Sequence, residues 1–301
     1  MMRIRTIISG MFVINYPIIG APMFQVSSED LAAAVSEAGG LGCISLTNYR
    51  TADQLDGALS RIRQMTSKPI GVNIHLSGKF EWRKQLGVCL DRGVELFITS
   101  LGDPSLVTGD IHRNGGKVFT GVTSLKHAQR AGERGADGII AIGAGAGGHG
   151  GRISTMVLVP YLKKMMNLPV IAAGGIATGA QMAAAISLGA DGVVVGTRLI
   201  ASPEASAAND YKQAVVESTP DDIVFTDRIT GNYASWIGKS IEGFDAISDP
   251  LSREWKNLWS AGQSVAQVDR VMPAAEIIAE IVEEYNRVIA AMPVVESGRP
   301  A

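Results

Sequence analysis

Residues 170–200 read VIAAGGIATGAQMAAAISLGADGVVVGTRLI, and the order of signals in them sets the fold. A short apolar run, Val170–Ala172, leads into the glycine pair Gly174-Gly175. Thr178 then precedes an alanine-rich stretch, where its side-chain oxygen can accept an amide hydrogen of the first helical turn. Gly189 closes that stretch, at a position where a left-handed residue costs glycine least. A valine-rich run, Val193–Gly196, follows and ends on Thr197. A strand, a helix and a second strand joined by such short turns predict parallel pairing.

The same alternation recurs upstream. Ile18–Ala21, Leu41–Ser45, Ile70–Ile74, Leu96–Thr99, Val118–Gly121 and Gly138–Ile142 read as strands, which with the two runs above makes eight. Helix starts are marked by Ser27/Ser28 and by Thr51 with Gln54 three residues on, and helix stops by Gly39-Gly40, Gly93 and Gly135. Eight strand-helix units in about 200 residues predict an α/β fold of the TIM (β/α)8 barrel type, whereas a doubly wound sheet has fewer strands and a switch point. The barrel is expected over residues 1–202. Beyond Ser202 the alternation stops. Residues 203–260 are polar and aromatic, with Trp236, Trp255 and Trp259, and a helical pattern follows near Ala274–Ala291. Residues 203–301 are therefore expected to form a helical extension or lid, with the last helix packing back on the barrel, and the tryptophans suit either a lid or a homodimer interface.

A hydrophobic share of 46% over 301 residues allows a large core and argues against disorder. Twenty-seven Lys and Arg against 29 Asp and Glu give a net charge of -2 with no basic stripe, so no nucleic-acid partner is expected. Cys43 and Cys89 have neither CxxC spacing nor a nearby histidine, which makes them reduced packing residues; no metal site is expected. Arg3 and Arg5 precede an apolar stretch broken by Asn15 and Pro17. No apolar run approaches the roughly 20 residues of a membrane span. The expectation is a soluble cytoplasmic protein with no membrane partner.

In a barrel the loops after the seventh and eighth strands are neighbours, and they form the usual phosphate site of this fold. Here they carry Gly174-Gly175 and Gly196-Thr197, so a phosphorylated cofactor or substrate is expected; the motif does not distinguish a flavin nucleotide from a sugar phosphate. The sixth strand ends in GAGAGGHGGRIST, six glycines between Gly143 and Ile153 around a single His149. A loop so costly to order suggests backbone passing close to a flat ligand, with an imidazole presented for proton transfer. At the first strand, Pro22 stiffens the turn and Met23 offers an adaptable apolar surface. Asn73 places an amide on an otherwise apolar strand, where it needs partners. His75, His112 and His127 read as structural or surface residues.

YPIIGAPM (16–23), AGGLGCIS (38–45), GVN (71–73), AGGHGG (146–151), VIAAGGIATG (170–179), GADGVVVGTR (189–198) and WSAGQS (259–264) resemble the nitronate monooxygenase (2-nitropropane dioxygenase) family. The FMN-dependent enoyl-ACP reductases share its fold and motifs. The resemblance implies an FMN-binding barrel in which Ala21, Pro22 and Met23 line the isoalloxazine and Asn73 faces it, with Gly121 and Gly147 close by. Ala173, Gly174, Gly175, Gly196 and Thr197 would hold the phosphate, and His149 would be the catalytic histidine. It implies an FMN-dependent oxidoreductase that oxidises nitronates or nitroalkanes with O2 to carbonyl compounds and nitrite. Two rival expectations stand beside it: an NAD(P)H-dependent flavin reductase of enoyl thioesters or quinones, and a phosphate-binding barrel without flavin. Many relatives carry Glu four residues before the histidine, where this chain has Gly145, and ISTMVLVPYL (153–162) resembles the reductase side as much as the nitronate side.

Overall fold

The computed structural model describes residues 3–76, 81–244 and 256–293. In chain order the strands are β1 (Ile18–Gly20), β2 (Gly42–Ser45), β3 (Ile70–His75), β4 (Leu96–Ser100), β5 (Lys117–Val122), β6 (Gly138–Ile142), the two-residue β7 (Gly148–His149), β8 (Val170–Ala173) and β9 (Gly192–Val195), followed by β10 (Ile223–Thr226) and β11 (Ala234–Ile237). Eight of them form one parallel sheet in the order β1-β9-β8-β6-β5-β4-β3-β2, and an Ile19–Leu41 bridge between its two edges closes it into a barrel. The eight expected strands are all present, with no end shifted by more than one residue.

Around them run α1 (Ile7–Met11), α2 (Glu29–Glu37), α3 (Ala52–Met65), α4 (Trp82–Asp91), α5 (Ser105–Arg113), α6 (Leu125–Glu133), α7 (Thr155–Met165), α8 (Gly179–Ser187), the short α9 (Thr197–Ile200), α10 (Asn209–Glu217), α11 (Gly238–Ile241) and α12 (Ala274–Ala291). The caps are those the sequence marks. Ser28, Thr51 and Thr178 each accept an amide hydrogen from the third helical residue, and Gly39, Gly93, Gly135 and Gly189 follow their helices with positive φ.

Alternation along the strands divides the core. Ile19, Leu41, Cys43, Leu96, Ile98, Phe119, Ile140 and Ile171 form one buried cluster inside the barrel. The intervening residues Ile18, Ile139, Val170 and Val193 pack outward in one cluster, and Ile44, Val72, Phe97 and Val118 in another, beneath the helices. Helix α1 contributes Ile8, Phe12 and Ile14 to the inner cluster, with Phe12 and Phe119 rings 5.9 Å apart, and so plugs the end where the strands begin. Each such side chain contributes about 1.5–3 kcal/mol by leaving water. Cys43 and Cys89 are buried free thiols whose pKa values burial pushes up.

The strand starts are pinned by a recurring device. Glu95, Asp137 and Asp191, each just ahead of a strand, accept a first or second amide of the preceding barrel strand: from Ile70 at 3.1 Å, Val118 at 2.8 Å and Val170 at 2.8 Å. Each carboxylate also meets a side chain of the helix before the strand it pins, namely Arg63 at 3.0 Å, His112 at 2.7 Å and Lys163 at 2.9 Å. His112 is thus structural, as its sequence setting suggests.

Residues 203–260 differ from a purely helical extension. After α10, strands β10 and β11 form an antiparallel hairpin, and β11 pairs in turn with β7, Ala234 opposite His149 and Ser235 opposite Gly148. Trp236 is buried with Ile229, Ile241 and Leu258, and Trp259 stacks on Tyr211 with centroids 5.6 Å apart. Trp255 lies outside the described residues. Helix α12 returns to the barrel, where the Glu284 carboxylate accepts the Gly179 amide at 2.8 Å. No helix among the described residues is long and apolar enough to cross a membrane.

Candidate active site

The expected site residues gather where the parallel strands end. Ala21–Met23 follow β1, and the Ser27 hydroxyl staples their turn by accepting from the Met23 amide at 2.8 Å and donating to the Ala21 carbonyl at 2.7 Å. Gly196, just beyond β9, faces this turn so closely that a Cβ there would lie 3.2 Å from the Ala21 Cβ and 3.7 Å from the Met23 sulfur.

Beyond β8, Gly174 and Gly175 have φ of +97° and +76°. In this left-handed region an L side chain is strained, and at Gly175 no atom lies within 4 Å of where a Cβ would sit, which leaves open space beside the backbone. The loop after β6 lies against the pair. A Cβ on Gly145 would sit 3.1 Å from the Gly175 nitrogen, Gly143 donates to the Ala173 carbonyl at 2.9 Å, and Thr155 Oγ1 donates to the Gly174 carbonyl at 2.7 Å. From the C-terminal region, the Gly262 amide donates to Thr197 Oγ1 at 2.9 Å and the Gln263 amide to the Gly145 carbonyl at 3.2 Å. Gly262 is held to glycine by close approach, since a Cβ would fall 2.3 Å from the Gly145 oxygen; Gly147 lies against the same segment. Arg198 anchors it further by donating to the Gln267 carbonyl at 2.8 Å and pairing with Glu280 of α12.

Asn73 and Gly121 occupy the facing wall. The Asn73 amide nitrogen donates to the Ile98 carbonyl at 3.0 Å and to Ser100 Oγ at 3.1 Å, which leaves its carbonyl oxygen to accept. Gly121 makes room for Ile142, whose Cδ1 would stand 3.0 Å from a Cβ there. His149 is set differently from all of these. It rides on β7, paired to the hairpin rather than to the glycine cluster, and its Nε2 stands 3.1 Å from Thr230 Oγ1. The residue as a whole is exposed, yet crowding of the ring by protein lowers its pKa from the ordinary 6.5 through desolvation. Beside it the Arg152 guanidinium lies 4.2 Å over the Tyr233 ring. Sequence reasoning missed Ser27 as the turn staple, Thr155, Thr230 and the whole hairpin; WSAGQS was the one signal that pointed to Ala261–Gln263.

The closed (β/α)8 barrel thus gathers a glycine cluster at the ends of its last strands, with the histidine-bearing loop packed against it. The nitronate monooxygenase family matches residues 5–82 and 75–242, and the chain belongs to that family. It is 29% identical to a probable nitronate monooxygenase of Staphylococcus saprophyticus over 96% of this chain and 99% of that protein. The structure of FabK from Thermotoga maritima superposes with a TM-score of 0.85 at 33% identity, covering 95% of this chain and 98% of that one. A nitroalkane oxidase from Streptomyces ansochromogenes gives 0.83 at 25% identity, over 94% and 99%.

Proposed function

We propose that the chain binds FMN and oxidises nitronates, and the neutral nitroalkanes that give rise to them, with O2 to carbonyl compounds and nitrite. The observation that carries this reading is the backbone hollow at Gly175, walled by Gly174 and Gly145 and set at the end of β8 beside β9 and its Gly196-Thr197. Its residues fit a flavin phosphate. Gly175 leaves the volume free, and Thr197 Oγ1, already accepting from Gly262, keeps its own proton to donate to a phosphate oxygen. Ala21, Pro22 and Met23 would lie along the ring system, with the Asn73 carbonyl oxygen as an acceptor for a ring N–H. Bound FMN supplies the redox chemistry.

The protein supplies position and proton transfer. His149, neutral because desolvation depresses its pKa, removes the α proton of a neutral nitroalkane; a nitronate arrives without that proton and does not need the base. Replacing His149 by Asn should therefore lower nitroalkane turnover by about 100-fold or more, within the range general base catalysis contributes, while nitronate turnover changes little. Because the base acts unprotonated and its pKa lies below 6.5, the rising limb of nitroalkane kcat/KM falls below that pH. Equal activity of the variant on both substrates would remove the role.

The 33% identity to FabK, together with the reductase-like ISTMVLVPYL, favours a second reading: hydride from NAD(P)H passed through the flavin to an enoyl thioester or quinone. Anaerobic titration separates the two. Bleaching of the flavin by a nitronate but not by NAD(P)H supports the first, and the reverse supports the second. Failure of the purified chain to take up FMN at all would leave a phosphate-binding barrel without flavin.

A further inference from the structure

The β10–β11 hairpin holds His149 twice, by main chain and by side chain. Its main chain pairs with Ala234, and Nε2 meets Thr230 Oγ1 at 3.1 Å across 81 residues of sequence. The hydroxyl at Thr230 has one proton and two lone pairs. That proton goes to the Asn232 carbonyl at 3.0 Å, an atom that can only accept. The Asn232 amide, which can only donate, points at the same oxygen from 3.4 Å. What is left for the imidazole is a lone pair, so Nε2 must be the protonated nitrogen. In the opposite tautomer the Nε2 lone pair and the Asn232 carbonyl oxygen would compete for the single hydroxyl proton, and one of them would go without a donor.

We infer that Thr230 is a positioning residue that fixes the neutral tautomer of His149 with the proton on Nε2, leaving Nδ1 as the ring nitrogen that accepts the substrate proton. The inference deepens the reading of His149 as the base and rests on it for its catalytic consequence, but not for the tautomer. A wrong tautomer offers N–H where a lone pair is needed, and so removes base catalysis without moving the ring. Because the hairpin is separate in sequence from the glycine cluster, it governs proton transfer without building the flavin phosphate site.

The test uses the FMN-loaded full chain with 15N-labelled histidine, His149 being assigned from the spectrum that His149→Gln loses. At a pH where the ring is neutral, wild type is expected to show Nδ1 as the unprotonated nitrogen and Nε2 as the protonated one. Thr230→Ser, which keeps the hydroxyl, is expected to match it. Thr230→Val, of similar shape but with no hydroxyl, is expected to give a mixture of tautomers and to lower nitroalkane turnover by about tenfold, a part of what a general base contributes, with nitronate turnover within about twofold of wild type. A wild-type spectrum with the proton on Nδ1, or an unchanged tautomer in Thr230→Val, overturns the inference whatever the activities are. If the tautomer shifts while nitroalkane turnover stays at the wild-type level, Thr230 sets the tautomer and it is the base role of His149 that falls.

Discussion

At the end where the barrel strands begin, carboxylates meet the first amides; at the end where they stop, glycines leave the backbone bare. Glu95, Asp137 and Asp191 each tie a strand start to Arg63, His112 or Lys163 on a neighbouring helix, and Ile8 of α1 with Phe12 and Ile14 just after it seals the floor. The opposite end is built largely on glycine. Gly145, Gly174 and Gly262 pack against backbone, Gly175 faces open space and Gly196 lies against the Ala21 and Met23 side chains, while His149 and Thr197 are held by partners far off in sequence, Thr230 and Gly262. The first construction specifies register by side-chain chemistry and tolerates no ligand. The second keeps volume open and amides accessible, at the cost in chain entropy that glycine carries. Stability and binding are therefore separable in this barrel, and substitutions at the two ends should fail in different ways.

The largest effect is expected at Gly175. Valine there would be forced to φ +76°, an outlier for a β-branched residue, and its methyls would enter the open hollow. The lost volume should weaken FMN binding by about 100-fold, about 2.7 kcal/mol, read from flavin fluorescence on reconstitution. The strain of about 1–3 kcal/mol acts without flavin too, and should lower the apoprotein's melting temperature by about 2–5 °C. FMN affinity at the wild-type level in Gly175→Val would place the phosphate elsewhere and dissolve the contrast between the two ends.

Asp191→Ala probes the other end. It leaves the Val170 amide and the Lys163 ammonium without their carboxylate at a position where Asp191 is mostly buried. The expected loss is about 2 kcal/mol of stability, seen as a fall in the thermal midpoint of about 3 °C for a chain of this size. FMN affinity and turnover measured well below that midpoint should not change. If affinity falls in step with stability, the floor of the barrel is coupled to its mouth and the separation is lost.

The same contrast explains what the sequence discloses. Floor and walls are legible because they repeat: strand runs recur eight times, and caps such as Thr51 or Thr178 and stops such as Gly93 or Gly189 mark several of the helices between them, so the signals reinforce one another. The glycine cluster is legible as a motif, since Gly174-Gly175 and Gly196-Thr197 fall at corresponding strand ends. Helix α1 is not, because five residues, IISGM, are too few to show a helical period. Nor is the hairpin: β10 and β11 have four residues each, and β7, only two residues long, exists because β11 lies beside it. A contact such as His149–Thr230 is set by tertiary pairing, and neither residue carries a local pattern that announces the other.

The smallest effect sharpens what holds the histidine loop to the hairpin. Tyr233 stacks on Phe225 with centroids 5.2 Å apart and receives the Arg152 guanidinium at 4.2 Å, so its ring clamps the strand that pairs with β7. The ring is exposed at 40%, and such a cation–π contact contributes about 0.5–1 kcal/mol. Tyr233→Leu removes it while keeping the Ala234–His149 pairing and the Thr230 hydroxyl. Nitroalkane turnover should then fall by about two- to fivefold, the rate equivalent of that energy, with FMN affinity unchanged because the phosphate hollow lies elsewhere. A loss as large as that of Thr230→Val would mean that ring packing, rather than the hydroxyl, orients the imidazole. A loss of FMN would mean that the hairpin belongs to the flavin site and that the open end of the barrel acts as one unit.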